Sequence, residues 1–114
     1  MSELVFRALT PADLEVVADL THRADPFGWT LRNFSDAHAS GNTLTVLAVD
    51  GRTAGIAAVM HVIDESELLE IAVEPAMQGK GYGKALLKEL GEGPAEIGLR
   101  VETNRLGDLV NPHI

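Results

Sequence analysis

Three glycines in five residues, Gly79, Gly81 and Gly83, separate a β-rich run ending at Val73 from a run of helical spacing that carries Ala85, Leu86, Leu87 and Leu90. A strand that enters a helix through so many glycines can bring its backbone close to a ligand, and the first N–H groups of the helix are left without partners inside it. Together with the positive end of the helix dipole, these groups suit a phosphate. The spacing Gln78-Gly79-Lys80-Gly81-Tyr82-Gly83-Lys84 is neither the dinucleotide fingerprint G-x-G-x-x-G nor a P-loop, which needs a Lys-Ser/Thr pair after its glycines. The same glycines also suit a flexible loop ahead of a lysine-rich solvated helix.

The rest of the chain supplies a layered context for this turn. Leu4 to Ala8 reads as a strand, and Thr10-Pro11-Ala12-Asp13 as a helix start with Thr10 as N-cap, Pro11 at the first helical position and Asp13 in the capping-box place. Leu14, Val17, Ala18 and Thr21 follow at helical spacing to about His22, and Asp25-Pro26-Phe27-Gly28-Trp29 breaks the helix. A second helix starts at Thr30 and carries Leu31, Phe34 and Ala37 on one face. Thr43 to Val49, Thr53 to Ile63 and Glu67 to Val73 then form an antiparallel meander, with Asp50-Gly51 as hairpin turn and Asp64-Glu65-Ser66 as the second turn. Gly91 to Pro94 stop the last helix, and Ile97 to Val101 form a final short strand. The order predicts one domain over residues 1–114, of mixed α/β (α+β) class.

Composition narrows the chemistry. At 114 residues with 46% hydrophobic and 23% charged residues, the chain can bury one core. The absence of cysteine excludes a disulfide scaffold, a cysteine nucleophile and thiolate zinc sites. The four histidines, His22, His38, His61 and His113, have no ligand spacing, so no metal is expected. A net charge of −8 argues against direct nucleic-acid binding and against an anionic membrane surface. No apolar stretch approaches a membrane span and Met1-Ser2-Glu3 lacks a leader pattern, which predicts a cytoplasmic protein. The acidity lies in residues 1–78, with 12 acids and 4 arginines; residues 79–114 balance 5 acids with 5 bases, including Lys80, Lys84 and Lys88 at spacing four.

Gln-x-x-Gly-x-Gly after Ile71-Ala72-Val73-Glu74-Pro75 resembles the acetyl-CoA motif of the GNAT acetyltransferases. Arg23-Ala24-Asp25-Pro26-Phe27-Gly28-Trp29 with Asn33-Phe34, and then Asp64-Glu65-Ser66-Glu67-Leu68-Leu69-Glu70-Ile71-Ala72-Val73, are similar more narrowly to the ribosomal-protein-alanine N-acetyltransferases, the RimI type. The resemblance runs from residue 1 to about 90. It implies a mixed, mostly antiparallel sheet flanked by helices and acetyl-CoA as cosubstrate. It also implies acetyl transfer to a protein N-terminus, that of a ribosomal protein with alanine first.

The resemblance places the pantetheine arm along the backbone of Ile71, Ala72 and Val73, with a splayed strand and an N–H near Val73 to polarise the thioester carbonyl. Gln78, Gly79, Lys80, Gly81, Tyr82, Gly83 and Lys84 would hold the pyrophosphate end. Asn104 would meet the cofactor, and Tyr82 either touches it or packs under the helix. Phe27 and Trp29 match the position lining the peptide channel, or else lid a small core.

Attack on the thioester requires a neutral amine. An α-amino group with pKa near 7.7–8.0 is roughly a tenth neutral at pH 7, while a lysine near 10.4 is neutral less than about a thousandth of the time. A modest base therefore suffices for an N-terminus. Glu67, on the cofactor strand, is the first candidate. Glu70 is second, because strand alternation points it to the opposite face. The family's base on the later strand lies in a Leu-Glu-Val pattern. Here Leu99-Arg100-Val101-Glu102 puts arginine in that place and makes Glu102 a further candidate.

After Asn104 the family continues with a helix bearing a tyrosine acid and two closing strands. This chain reads Arg105 to Ile114 and its sole tyrosine is Tyr82, so a C-terminally incomplete domain lacking those elements is expected. Two other readings stay open: a CoA- or partner-binding domain without turnover, and an acetyltransferase for a small amine. The sequence leaves the oligomeric state open.

Overall fold

The computed structural model describes residues 2–63, 65–91 and 98–101. Five strands form one sheet in the order β1-β2-β3-β4-β5, with β1 Leu4–Ala8, β2 Thr43–Val49, β3 Arg52–Val62, β4 Glu65–Val73 and β5 Gly98–Val101. The first four are antiparallel neighbours, and β5 runs parallel to β4. The mixed, mostly antiparallel sheet flanked by helices that the resemblance implies is the architecture observed.

Helices α1 Leu14–Ala24 and α2 Leu31–Ala39 cover one face. Val17, Leu20 and Ala24 of α1 and Phe34 and Ala37 of α2 bury against Leu44, Val46, Ile56, Ala58 and Ala72. Helix α3 Tyr82–Gly91 covers the other, with Leu86 packed among Leu47, Val49, Ala57, Val59, Leu68 and Ile71. This contact is close enough to need a glycine: a Cβ on Gly55 would lie 2.9 Å from Leu86 Cδ1 and 3.1 Å from the Ala72 carbonyl. The crossover from β4 through α3 to β5 is what a parallel pair requires.

Local chemistry explains the boundaries. Thr30 N-caps α2, its side chain accepting from the Asn33 N–H at 3.3 Å while the Asn33 Oδ1 accepts from the Thr30 N–H at 2.9 Å. Asp50 and Gly51 both adopt positive φ, 51° and 82°, as a two-residue hairpin turn demands.

Three details differ from expectation. Residues Pro11–Asp13 form a 3₁₀ turn before α1, in which Asp13 accepts from both the Thr10 N–H at 2.8 Å and the Arg7 guanidinium at 2.7 and 2.8 Å. Leu31 is largely exposed, so only Phe34 and Ala37 of the expected face are buried. Strand β4 begins at Glu65, two residues early, because Ser66 pairs with His61 and their side chains bond at 2.7 Å.

Candidate functional site

The site grows from the end of β4. Its pairing with β5 runs from Glu65↔Gly98 to Leu68↔Val101, so among the described residues the half from Leu69 to Val73 has a strand neighbour only on the β3 side. The Glu74 N–H donates to the Ala54 carbonyl on β3 at 2.7 Å. Backbone direction alternates along a strand, so the polar groups of Ile71 and Val73 turn away from β3, into the gap.

Two of those groups have intramolecular partners. The Ile71 N–H donates to Glu70 Oε1 at 3.1 Å, and the Val73 carbonyl accepts from Gln78 Nε2 at 3.1 Å. Gln78 therefore braces the start of the glycine turn against the end of β4. Arg23 of α1 adds a second brace through both oxygens of Glu74, one contact at 2.7 Å, and holds the Glu74 carboxyl below the usual carboxylate range.

The turn itself is open. Gly79 and Gly81 have φ of +81° and +85°, both are exposed, and a Cβ on either would meet nothing within 4 Å. L-residues strongly disfavour this region, so the glycines set the path of the chain without filling space themselves. The Ala85 N–H bonds the Gly81 carbonyl at 3.0 Å, and α3 starts at Tyr82 with its first N–H groups at the mouth of this opening. Lys80 lies in the turn, before the helix, so only Lys84 and Lys88 of the lysine stripe stand on α3, both exposed. Tyr82 is half-buried and packs against the second core.

A β-bulge corrects the facing of the acidic candidates. Ala58 pairs with Glu70 and Val59 with Leu68, which leaves Leu69 as an extra residue in β4. Leu68 and Ile71, three apart, both enter the core beneath α3, while Leu69 packs with the α1/α2 core. Glu67 and Glu70 consequently share the α1/α2 face, where strict alternation had separated them. Glu67 is half-buried at the register position of Met60 and Arg100. Glu70 is 2% exposed, and its Oε2 accepts from the Trp29 N–H at 2.8 Å.

Trp29 and Phe27 part company. Trp29 is half-buried and meets Phe34 edge-on at 5.2 Å, closing the first core, whereas Phe27 is 96% exposed at the tip of the turn. Glu102 and Asn104 lie outside the described residues, as do residues 105–114, for which the family's last helix and closing strands were expected to be absent. Among the described residues no group of His, Asp or Glu is arranged to hold a metal, and no helix is long and apolar enough to cross a membrane. The sequence pattern did not indicate the Gln78 brace or the Glu70 contact to Trp29. The adjacent apolar pair Leu68-Leu69 was the one local sign that alternation breaks there.

Comparison with known proteins bears on this arrangement. The acetyltransferase (GNAT) domain family matches residues 40–111. The ribosomal protein bS18 alanine N-acetyltransferase of Escherichia coli is 32% identical over 83 residues, which cover 73% of this chain and 56% of the relative. The protein of the same name from Salmonella typhimurium is 33% identical over 82 residues, covering 72% and 55%. The chain thus spans little more than half the length of these curated relatives. Among solved structures, the Escherichia coli ribosomal-protein-alanine N-acetyltransferase superposes with a TM-score of 0.71 at 31% identity, over 77% of this chain and 57% of that one. A GNAT family acetyltransferase from Brucella melitensis, solved in complex with acetyl-CoA, shares the fold at 21% identity and a TM-score of 0.66, over 92% of this chain and 81% of that one.

Proposed function

The chain belongs to the GNAT acetyltransferase family, and from that premise we propose that it transfers acetyl from acetyl-CoA to a protein N-terminal α-amino group, that of an alanine-starting ribosomal protein. The observation that carries the proposal is the open backbone cradle where β4 meets α3: two exposed positive-φ glycines with clear space beside them, at the start of a helix. A nucleotide pyrophosphate needs such a lining, because side chains would hold it away from the N–H groups.

Bound acetyl-CoA would supply a thioester whose thiol is a good leaving group. The N–H groups from Gly79 to Lys84 would hold its phosphates, with Lys80 and Lys84 adding charge. The Ile71, Ala72 and Val73 segment would accept the pantetheine arm as an added strand through the Ile71 carbonyl, since the Ile71 N–H and the Val73 carbonyl are held by Glu70 and Gln78. The Val73 N–H would polarise the thioester carbonyl. Phe27 and Trp29 would line the acceptor channel.

Glu67 is the proposed base, taking the proton from the α-ammonium group. Its place on the same face as Glu70 puts it on the side of the α1–α2 turn, where a peptide would enter. Glu102, two positions beyond the arginine that occupies the family's base position, is a secondary base in this reading, and Asn104 keeps the cofactor contact that the resemblance implies. The net charge of −8 suits a basic ribosomal acceptor, and a cytoplasmic location follows from such a partner.

An acetyl-transfer assay offering an alanine-starting ribosomal peptide beside a polyamine tests the reading. Turnover with the peptide and little with the polyamine is expected. Preference for the polyamine, or CoA binding with no transfer to either, would overturn it.

A further inference from the structure

The α1–α2 turn is moulded around the Glu70 carboxylate. Asp25 Oδ1 accepts from the Phe27 N–H at 3.0 Å, and the Asp25 carbonyl accepts from the Gly28 N–H at 2.8 Å. This folding of the chain delivers the next N–H, that of Trp29, to Glu70 Oε2 at 2.8 Å. The other oxygen accepts from the Ile71 N–H at 3.1 Å. Gly28 suits this fit: a Cβ there would press at 3.0 Å on Glu70 Oε2 and at 3.0 Å on Thr21 Cγ2. The carboxylate, 2% exposed, thus joins two segments 41 residues apart at the bulge of β4.

We infer that Glu70 is a positioning residue that fastens the acceptor-side turn to the cofactor strand, fixing Trp29 relative to Ile71 and thereby setting affinity for the acceptor peptide. The inference rests on the proposed acetyltransferase reading for its kinetic consequence, but not for its structural one. Both carboxylate oxygens act as acceptors of backbone N–H groups. Glutamine has the same shape yet offers only one acceptor, and its NH₂ group would face an N–H. Aspartate is one methylene too short to reach both segments. A buried group that satisfies two backbone donors is hard to replace without leaving one of them unpaired.

Glu70→Gln separates a clamp from simple packing, since it preserves volume. Its KM for an alanine-starting peptide is expected to rise about tenfold, with kcat and CoA affinity within about twofold of the parent, because Ile71 stays in register with Ala57 on β3 without the clamp whereas the Trp29 turn depends on it. Trp29 is the sole tryptophan, so its emission and its backbone amide resonance report the turn directly and need no activity. The amide is expected to move upfield and to exchange faster, at unchanged far-UV circular dichroism. Gly28→Ala pushes on the same carboxylate from the turn and should reproduce both effects if Glu70→Gln folds poorly.

An unchanged Trp29 amide and emission in both variants would overturn the clamp. Equal loss of peptide and CoA affinity together with the overall fold would also overturn it, by showing a general structural role. A parent protein that acetylates no peptide would refute the acetyltransferase reading alone, and the Trp29 signals would still decide the clamp.

Discussion

Glu67 and Glu70, two glutamates on one strand, sit in different surroundings. Both lie on the α1/α2 face of β4 because Leu69 is an extra residue between them. Glu70 is buried with its oxygens committed to backbone donors, whereas Glu67 is half-buried in the half of β4 that pairs with β5, in register with Arg100. A base must be able to take and release a proton within reach of substrate, which suits the less enclosed group. Glu67→Gln is therefore expected to lower the acetylation rate by roughly 10²-fold with CoA affinity little altered. Full rate in that variant across pH 6 to 9 would move the role to Glu102 or to solvent.

The packing of α3 on the sheet depends on Gly55, where a Cβ would press on Leu86 and on the Ala72 carbonyl. Gly55→Ala should destabilise the protein by about 1–3 kcal/mol, read as a lower denaturant midpoint at unchanged slope. An unchanged midpoint would mean that α3 can lift from the sheet at no cost. The elements themselves were legible from local signals: the Thr30 cap, the Asp50-Gly51 turn, the Asp25-Pro26 break and the glycines after β4 each act within a few residues of their own position. What was hidden depends on distant partners. The bulge at Leu69 is fixed by its register with Ala58 and Val59, the early start of β4 by His61, and the burial of Glu70 by a turn 41 residues away. No pattern within β4 specifies those contacts. The same reason hid the brace that the Gln78 side chain makes to the Val73 carbonyl.

Charge links the ends of the molecule to its stability. The Arg7 hydrogen bonds hold the Asp13 carboxyl well below the usual carboxylate range, and those of Arg23 lower Glu74. A carboxyl depressed in the folded state stabilises fully above its unfolded pKa of about 4, and that contribution is lost as pH falls through the folded value. The melting temperature should hold from neutral pH to about pH 5 and decline progressively below about pH 4. Asp13→Asn should melt lower at neutral pH and decline less steeply in acid; an identical pH profile would remove Asp13 from the account. These braces matter because Arg23 and Glu74 tie α1 to the strand that leads into the glycine turn, so the cradle is held from behind by the layer that also carries Trp29. The proposed role of this cradle is to bind the cosubstrate. Calorimetric titration of CoA into the protein and into Gly81→Val tests it most directly, because valine at φ +85° is strained and places a side chain where phosphate should approach. Binding by the parent and at least about tenfold weaker binding by the folded variant are expected, a loss of about 1.4 kcal/mol or more; equal affinity in the two would overturn the cradle as the cosubstrate site.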